Sequence, residues 1–174
     1  MERTRRTVLR TVGGGSAALL AGTAGTAAAN GRRQGASGDA TIVDIAAGDP
    51  QSRFDTLVAA LQETGLDEVL ASEDDQYTVF APTDDAFAAL LKQLGISAGA
   101  LLARDDLANI LLYHVTEGRR YASSVVNPGD IEMLNGGSVT TDGTTLNGGQ
   151  AGIVATDIEA SNGVVHVIDG VLLP

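Results

Sequence analysis

The pattern of hydrophobic and polar residues changes its period once along the chain, near Tyr121. Before that point, apolar residues recur at i, i+3, i+4 and i+7, the spacing of one face of an α-helix. The segments with this spacing, or a shorter version of it, are residues 54–61, 66–71, 86–94 and 107–114. Residues 41–48 fit either a strand or a short helix ended by Gly48. The first half is therefore predicted to be mainly helical.

One strong strand interrupts this helical half. Tyr77 to Ala81 is rich in aromatic and β-branched residues, and Pro82 ends the strand because proline has no N–H for a ladder. Thr83 or Asp84 can then cap a helix. The apolar stripe that follows comprises Ala86, Phe87, Leu90, Leu91 and Leu94. The pattern predicts a buried strand that leads directly into a helix on the same core.

Capping signals suggest boundaries for two further helices. Asp49-Pro50 is typical of a helix start, with proline in the first turn, and Gly65 is typical of the end. A second helix is predicted to begin at Asp105 and to end at Gly118. His114 then shares its apolar face.

The second half of the chain predicts short antiparallel strands. They are expected at residues 131–134, 138–141, 144–146, 152–158 and 164–173. Asn-Gly or Asp-Gly pairs separate them, and these dipeptides accept the positive φ angles of tight hairpin turns. The fold class predicted from both halves is α+β.

The N-terminal residues predict export rather than fold. Thr4-Arg5-Arg6-Thr7 is a twin-arginine pattern, and a glycine-diluted apolar run follows to Ala29. Residues 1–29 are therefore expected to be a twin-arginine signal peptide, residues 30–39 a flexible linker, and residues 40–174 a single domain. No membrane insertion of the mature chain is expected.

The charge is strongly acidic, with a formal net value of −11. Removing residues 1–29 takes away four arginines and one glutamate, leaving 7 basic and 21 acidic residues and a net charge of −14. Such a surface repels nucleic acid and anionic membranes, so neither is expected as a partner. With Lys92 as the single lysine, the composition also indicates adaptation to concentrated salt.

Candidate catalytic chemistry is sparse. The chain has no cysteine and no G-x-S-x-G elbow, and its two histidines, His114 and His166, lie among aliphatic neighbours. Core histidines satisfied by backbone hydrogen bonds are the favoured interpretation. The acidic runs lack the spacing of a metal site, so the sequence predicts no metal, no cofactor and no enzyme.

Three motifs, in order, resemble the signatures of fasciclin-like domains. The first is TVFAPTDDAF, whose signature residues here are Thr78, Phe80, Pro82, Thr83 and Phe87. The second is the Tyr113-His114 pair. The third is NGVVHVIDGVLLP, with signature residues Gly163, His166 and Asp169. The resemblance covers roughly residues 41–174, and it favours the short helix at 41–48.

The resemblance implies a fasciclin-like fold, with a helical layer packed on a β wedge or sandwich, and a role in extracellular adhesion. In animal members of the family, receptor binding has been ascribed to an Asp-Ile pair before the last signature and to the Tyr-His region. The matching positions are Asp157-Ile158 and Tyr113-His114. Structural roles for these residues remain the competing interpretation.

The sequence therefore predicts a secreted or cell-surface binding module for adhesion or matrix interaction, whose partner is a surface protein or polysaccharide. An alternative is a carrier of a small apolar ligand, since some members of the family bind carotenoids. The low aromatic content, with three Phe, three Tyr and no Trp, argues against an aromatic-lined pocket.

Overall fold

The computed structural model describes residues 39–174, so the predicted export signal and nearly all of the predicted linker lie outside the described range. The helices are α1 (Ile42–Ala47), α2 (Asp55–Thr64), α3 (Leu66–Ala71), α4 (Asp84–Leu94), α5 (Ala98–Leu102), α6 (Leu107–Leu112) and α7 (Ala122–Val125). The strands are β1 (Tyr77–Pro82), β2 (Val115–Glu117), β3 (Gly129–Glu132), β4 (Ser138–Asp142), β5 (Thr145–Leu146), β6 (Ala151–Ala160) and β7 (Gly163–Ile168).

The strands form one sheet in the order β2-β1-β7-β6-β5-β4-β3. β1 and β7 pair in parallel, with Phe80 opposite His166, and every other pairing is antiparallel. All residues of β1 and β7 are buried, as expected of a parallel pair covered on both faces. The two strands that carry the sequence signatures are thus neighbours at the centre of the fold.

The two edge strands of the sheet meet each other. The carbonyl of Val115 in β2 accepts a hydrogen bond from the N–H of Leu134, just after β3, at 2.8 Å. The Thr116 hydroxyl donates to the carbonyl of Glu132 in β3 at 2.6 Å. The sheet therefore curls almost into a closed wedge, which removes most of the unpaired edge that an open sheet exposes.

The central strands separate two hydrophobic cores. One face of β1 and β7 contributes Val79, Ala81, Val165 and Val167 to the core that also contains the buried faces of α1 to α6. The opposite face contributes Phe80 and Ile168 to a second core. Its other members are Tyr113, Val125, Ile131, Met133, Val139, Leu146, Ala151 and Leu172. This arrangement confirms the predicted α+β class, with a helical layer packed on a β wedge.

The strand–turn–helix unit at residues 77–94 agrees with its prediction, except that the strand extends one residue further, through Pro82. Thr83 caps α4 by accepting a hydrogen bond from the N–H of Ala86, and Gly95 ends it in the left-handed conformation. The short helices predicted at residues 41–48 and 66–71 are also confirmed.

The predicted start of the second helix was wrong. Asp49-Pro50 lies in a turn, and α2 begins only at Asp55. The Asp49 carboxylate instead accepts hydrogen bonds from the Arg53 guanidinium and from the main-chain N–H of Arg53. The first N–H groups of α2, those of Asp55 and Thr56, donate to the carboxylate of Asp84, which lies 29 and 28 residues further along the chain, respectively. A tertiary contact thus caps this helix.

The helix predicted from Asp105 to Gly118 is present, but its predicted end was wrong, because α6 runs only from Leu107 to Leu112 and residues 115–117 form β2. The Ile110 carbonyl accepts a hydrogen bond from the His114 ring, while the His114 N–H donates to Leu111. The His114 carbonyl then accepts from Phe80 in β1. The His114 ring therefore binds the Ile110 carbonyl, and β1 binds the His114 carbonyl, so these two carbonyls do not accept the N–H groups that would continue the helix.

The strands of the second half lie where they were predicted, with small shifts at their ends. The main difference is at the last strand, where β7 ends at Ile168 rather than at Leu173. Among residues 39–174, no helix is both long and apolar enough to cross a bilayer.

Candidate functional site

The bulged segment of β6, residues 153–158, contains the predicted Asp-Ile pair. Ile153, Ala155 and Ile158 pair with Ile168, Val167 and Val165 of β7, respectively. β6 therefore has one residue more than β7 on each side of Ala155, namely Val154 in the first bulge and, in the second, Thr156 and Asp157 opposite the single His166. Bulges bend a strand and re-aim its side chains. The side chain of Val154, in the first bulge, is 63% exposed.

Asp157 lies in the second bulge and has a φ of +59°. Left-handed backbone is uncommon for residues other than glycine, although aspartate and asparagine adopt it more readily than most, so this position carries modest local strain. One carboxylate oxygen, Oδ1, accepts a hydrogen bond from the N–H of Ala122 at the start of α7, at 2.7 Å. No hydrogen bond within residues 39–174 engages Oδ2. The side chain is exposed, so Oδ2 is accessible to a partner.

Ile158, the second member of the pair, is half-buried and packs against the core that faces the helices. Its role in the fold is therefore to anchor the strand after the bulge. Tyr121, which precedes the Asp157-bound Ala122, is 38% exposed. Asp157 thus lies beside the start of α7, where Tyr121 is exposed, and Val154 is exposed three residues earlier on the same strand.

The His166 ring lies beneath Asp157 and connects it to the loop before α7. Its Nδ1 accepts a hydrogen bond from the N–H of Asp157 at 3.3 Å, and its Nε2–H donates to the carbonyl of Arg120 at 2.7 Å. The ring lies 5.7 Å from the ring of Phe80. Burial lowers the pKa of His166, the opposing effects of the Arg120 carbonyl and the Asp157 charge being smaller. The ring is therefore a neutral link between β6, β7 and the loop before α7.

Tyr113 and His114 are buried, with exposures of 5% and 2%. The Tyr113 hydroxyl donates to the carbonyl of Ser138 at 2.7 Å. His114 donates from Nδ1 to Ile110 at 2.8 Å and accepts at Nε2 from the N–H of Leu172 at 2.9 Å. Burial lowers the pKa of His114 to about 4. Both side chains join elements within the protein, and neither lies at the Asp157 surface.

The remaining signature residues make close contacts within the fold. A side chain at Gly163 would place its Cβ 2.0 Å from the carbonyl oxygen of Tyr77, so only glycine allows β7 to approach β1 there. The Asp169 carboxylate accepts from the N–H of Gly152 at 2.6 Å. The Thr78 hydroxyl donates to Gly118 and accepts from the N–H of Arg120. Phe87, on α4, is buried in the core between the helices and the sheet.

Two residues that sequence reasoning did not single out have central positions. The Asn162 side chain is fully buried, accepts from the N–H of Ile42, and donates to the carbonyls of Leu70 and Ser72. Arg120 lines a cavity, and its Nε is buried without a hydrogen-bond partner in the described part of the chain. The Asn-Gly dipeptide indicated only a turn at Asn162. No pattern in the sequence distinguished Arg120 from the other arginines.

Side chains that could perform catalysis or bind a metal do not converge in the described range. Both nitrogens of each histidine are engaged with the main chain, so neither ring is available as a general base. Across residues 39–174, no three His, Cys, Asp or Glu side chains gather as metal ligands would.

An apolar groove of about 210 Å³ lies between α4, α5 and α6. Small-molecule sites typically measure about 300–1,000 Å³, so this groove is small for a carrier.

Comparison with known proteins places the fold and the motifs in one family. The family model for the fasciclin domain matches residues 52–174. Protein sll1483 of Synechocystis is 44% identical over 139 residues, which cover 77% of this chain and 73% of that protein. Transforming growth factor-beta-induced protein ig-h3 of Sus scrofa is 38% identical over 136 residues, covering 77% of this chain and only 19% of that longer protein.

A solved structure shares the architecture. The FAS1 domain pair of the insect cell adhesion molecule Fasciclin I superposes with a TM-score of 0.62 at 16% identity, covering 78% of this chain and 51% of that one. At this identity the likeness concerns the fold alone. The match of the family model over residues 52–174 and the 44% identity to protein sll1483 establish that the chain belongs to the fasciclin domain family.

Proposed function

We propose that the chain is a secreted fasciclin-domain binding module that attaches to a protein or polysaccharide of the cell surface or extracellular matrix, through the Asp157 surface. Secretion is supported by the twin-arginine pattern at Arg5-Arg6. Adhesion is supported by membership of a family that includes an insect cell adhesion molecule. Binding rather than catalysis agrees with the engagement of both histidine rings by the main chain.

The observation that carries this proposal is the conformation of Asp157. Asp157 is one of three non-glycine residues with positive φ in the described range, with Ser52 and Asn147, and positions of this kind are often found at functional sites. Here two bulges, the His166 ring and the Ala122 N–H hold Asp157 outward. A merely structural turn at this position could use glycine without strain.

The chemistry of the partner follows from the surface. Asp157 offers a carboxylate oxygen as a hydrogen-bond acceptor, while Val154 and Tyr121 offer apolar area. A partner with N–H or O–H donors beside an apolar patch fits this combination, and both polypeptides and polysaccharides have such groups. The buried Tyr113 and His114 support the domain rather than the contact.

The proposal is tested by affinity capture from native envelope fractions at molar salt. The baits are the wild-type chain and the Asp157→Ala/Ile158→Ala variant, with Glu159→Gln as a matched control on the same strand. We expect the wild type and the control to capture the same component saturably, and the double variant to lose it. Equal capture by all three baits would exclude the Asp157 surface as the binding site.

A carrier of apolar ligands is the alternative function. The groove lined by Leu90, Leu94, Leu101 and Ile110 is its best candidate site, but its volume of about 210 Å³ does not favour a large apolar ligand. Natively purified protein is expected to show no visible absorbance and no extractable pigment. Coloured or lipidic material that co-purifies in stoichiometric amount would favour the carrier.

A further inference from the structure

A second site lies where the two edges of the sheet meet. A cavity of about 320 Å³ opens between β2 and β3, lined by Glu117, Arg120, Glu132, Met133, Leu134 and Gly136. Its volume lies within the range typical of small-ligand sites. The carboxylates are on exposed residues at the ends of two different strands, and Arg120 enters from the loop before α7. The curled sheet brings these three charged residues together.

Arg120 stands out among the four arginines in the described range. Arg53 pairs with Asp49, Arg104 pairs with Asp106, and Arg119 donates to Gln76 and to the carbonyls of Ala160 and Ser161. The backbone of Arg120 is also engaged, through Thr78 and His166. Its Nε–H, however, is buried and has no acceptor within residues 39–174.

A buried N–H donor without an acceptor lowers the stability of the fold, so an unpaired Arg120 Nε–H requires an explanation. Because the atom is buried, the Arg120 side chain would have to turn towards the cavity for an acceptor atom of a ligand to satisfy it. Charge narrows the ligand class. An anion would meet Arg120 favourably but would be repelled by Glu117, Glu132 and a chain of net charge −11. A simple cation would meet the carboxylates favourably but would be repelled by Arg120.

A neutral saccharide suits all three charged groups. Its hydroxyl groups donate to the carboxylates of Glu117 and Glu132, and its hydroxyl or ring oxygens accept from Arg120. Met133 and Leu134 supply apolar surface for the C–H groups of a sugar ring. Such hydrogen bonds do not depend on the net charge of the ligand, so they persist in concentrated salt, which screens ion pairs.

We propose that this cavity is a binding site for a neutral saccharide unit, such as the terminal sugar of a surface polysaccharide. The proposal rests on the proposed function, because it names polysaccharide as a partner, but it concerns a site distinct from the Asp157 surface. The two sites are joined through Arg120, whose carbonyl accepts from His166 beneath Asp157.

The test is a titration of the ¹⁵N-labelled full chain, in molar salt, with cellobiose, maltotriose, mannobiose and chitobiose. Glucuronate and glucosamine serve as charged probes. The variants are Arg120→Lys and Glu132→Gln, which keep polar side chains, and Glu159→Gln is the control outside the cavity. Amide spectra of each variant establish that it is folded.

We expect at least one neutral saccharide to shift the amide signals of residues 117–120 and 132–136. Arg120→Lys should weaken this binding by about tenfold or more, because it removes the buried Nε donor and its fork geometry. Glu159→Gln should leave it unchanged. An absence of shifts at tens of millimolar saccharide, shifts confined to other residues, or stronger binding of the charged probes would overturn the proposal.

The envelope capture described above distinguishes the two claims. Capture that depends on Asp157 without any saccharide binding would overturn the cavity proposal and leave the proposed function intact. Saccharide binding that depends on Arg120, with no capture that depends on Asp157, would support the cavity and overturn the role of the Asp157 surface.

Discussion

Asp157 on β6 and His166 on β7 are joined at a bulge, where the N–H of Asp157 donates to Nδ1 of the His166 ring at 3.3 Å. The ring accepts this hydrogen bond only while Nδ1 is unprotonated, and its Nε2–H donates to Arg120. In His114 the roles are reversed, since Nδ1–H donates and Nε2 accepts. Two opposite tautomers, both neutral, therefore hold the centre of the domain.

Acid is predicted to destabilise the fold through these two rings. The native pKa of His114 is about 4 and that of His166 is also lowered, whereas an unfolded histidine titrates near 6.5. Between these values the unfolded chain binds more protons than the native chain, so stability is complete above about pH 6.5 and falls as the pH drops towards 4. For His114 the loss is on the order of 3 kcal/mol across this window.

Urea denaturation at pH 7.5, 6, 5 and 4.5, in molar KCl, measures this loss. The carboxyls of Asp44, Asp49 and Asp106 have lowered pKa values, so the stability they contribute is lost only as the pH falls below about 3.8. The window above pH 4.5 therefore reports mainly the histidines. A His114 ring signal that titrates near pH 6.5 in the native protein would contradict this prediction.

Gly163→Ala is predicted to destabilise the protein by about 3 kcal/mol or more. The new Cβ would lie 2.0 Å from the Tyr77 carbonyl oxygen and 2.8 Å from Ile42 Cδ1, so β1 and β7 would have to separate. The matched control is Gly129→Ala, where a Cβ meets nothing within 4 Å and φ is not positive. Equal unfolding free energies for the two variants, from urea denaturation, would show that the close approach is unimportant.

Asn162→Ala is predicted to cost about 2–4 kcal/mol, because it leaves the N–H of Ile42 and the carbonyls of Leu70 and Ser72 without their buried partner. Asn127→Ala is the control, since that exposed side chain makes one hydrogen bond, to Ser123. Its cost should stay below about 1 kcal/mol. Chemical denaturation of both variants checks the difference, and a loss at Asn162 no larger than at Asn127 would refute the assignment.

Salt is predicted to stabilise the domain, because repulsion among its acidic residues is screened within about 3 Å at 1 M but over about 10 Å at 0.1 M. We expect the melting temperature to rise by on the order of 10 °C between 0.1 M and 2 M KCl. Sucrose at matched osmolality is the control, because it is excluded from the protein surface as salt is but does not screen charges. A melting temperature that does not change with KCl would argue against adaptation to salt.

The parts of the fold that could be predicted from the sequence depend on local determinants. Thr83 caps the helix that begins at the next residue, and Gly65 and Gly95 end helices in the left-handed conformation. The start of α2 could not be predicted this way, because its capping carboxylate, Asp84, comes from a distant part of the chain. The end of α6 depends on a histidine ring that competes for a main-chain carbonyl.

The candidate site was predictable only in part. The resemblance pointed to Asp157 and Ile158, but nothing in the alternation of β6 marks its two bulges, and no glycine signals the positive φ of Asp157. The cavity around Arg120 could not be predicted at all. Its walls come from β2 and β3, which meet only because the whole sheet curls.

The central claim is that Asp157 contacts a surface partner. Beads coated with the full chain, in molar salt, should attach to native envelopes in a saturable way, and Glu159→Gln should attach equally well. Asp157→Asn keeps the size of the side chain and tolerates a positive φ, yet removes the charge, so we predict that it weakens attachment by about tenfold or more. Attachment by Asp157→Asn that matches the wild type, with both proteins folded, would contradict the account.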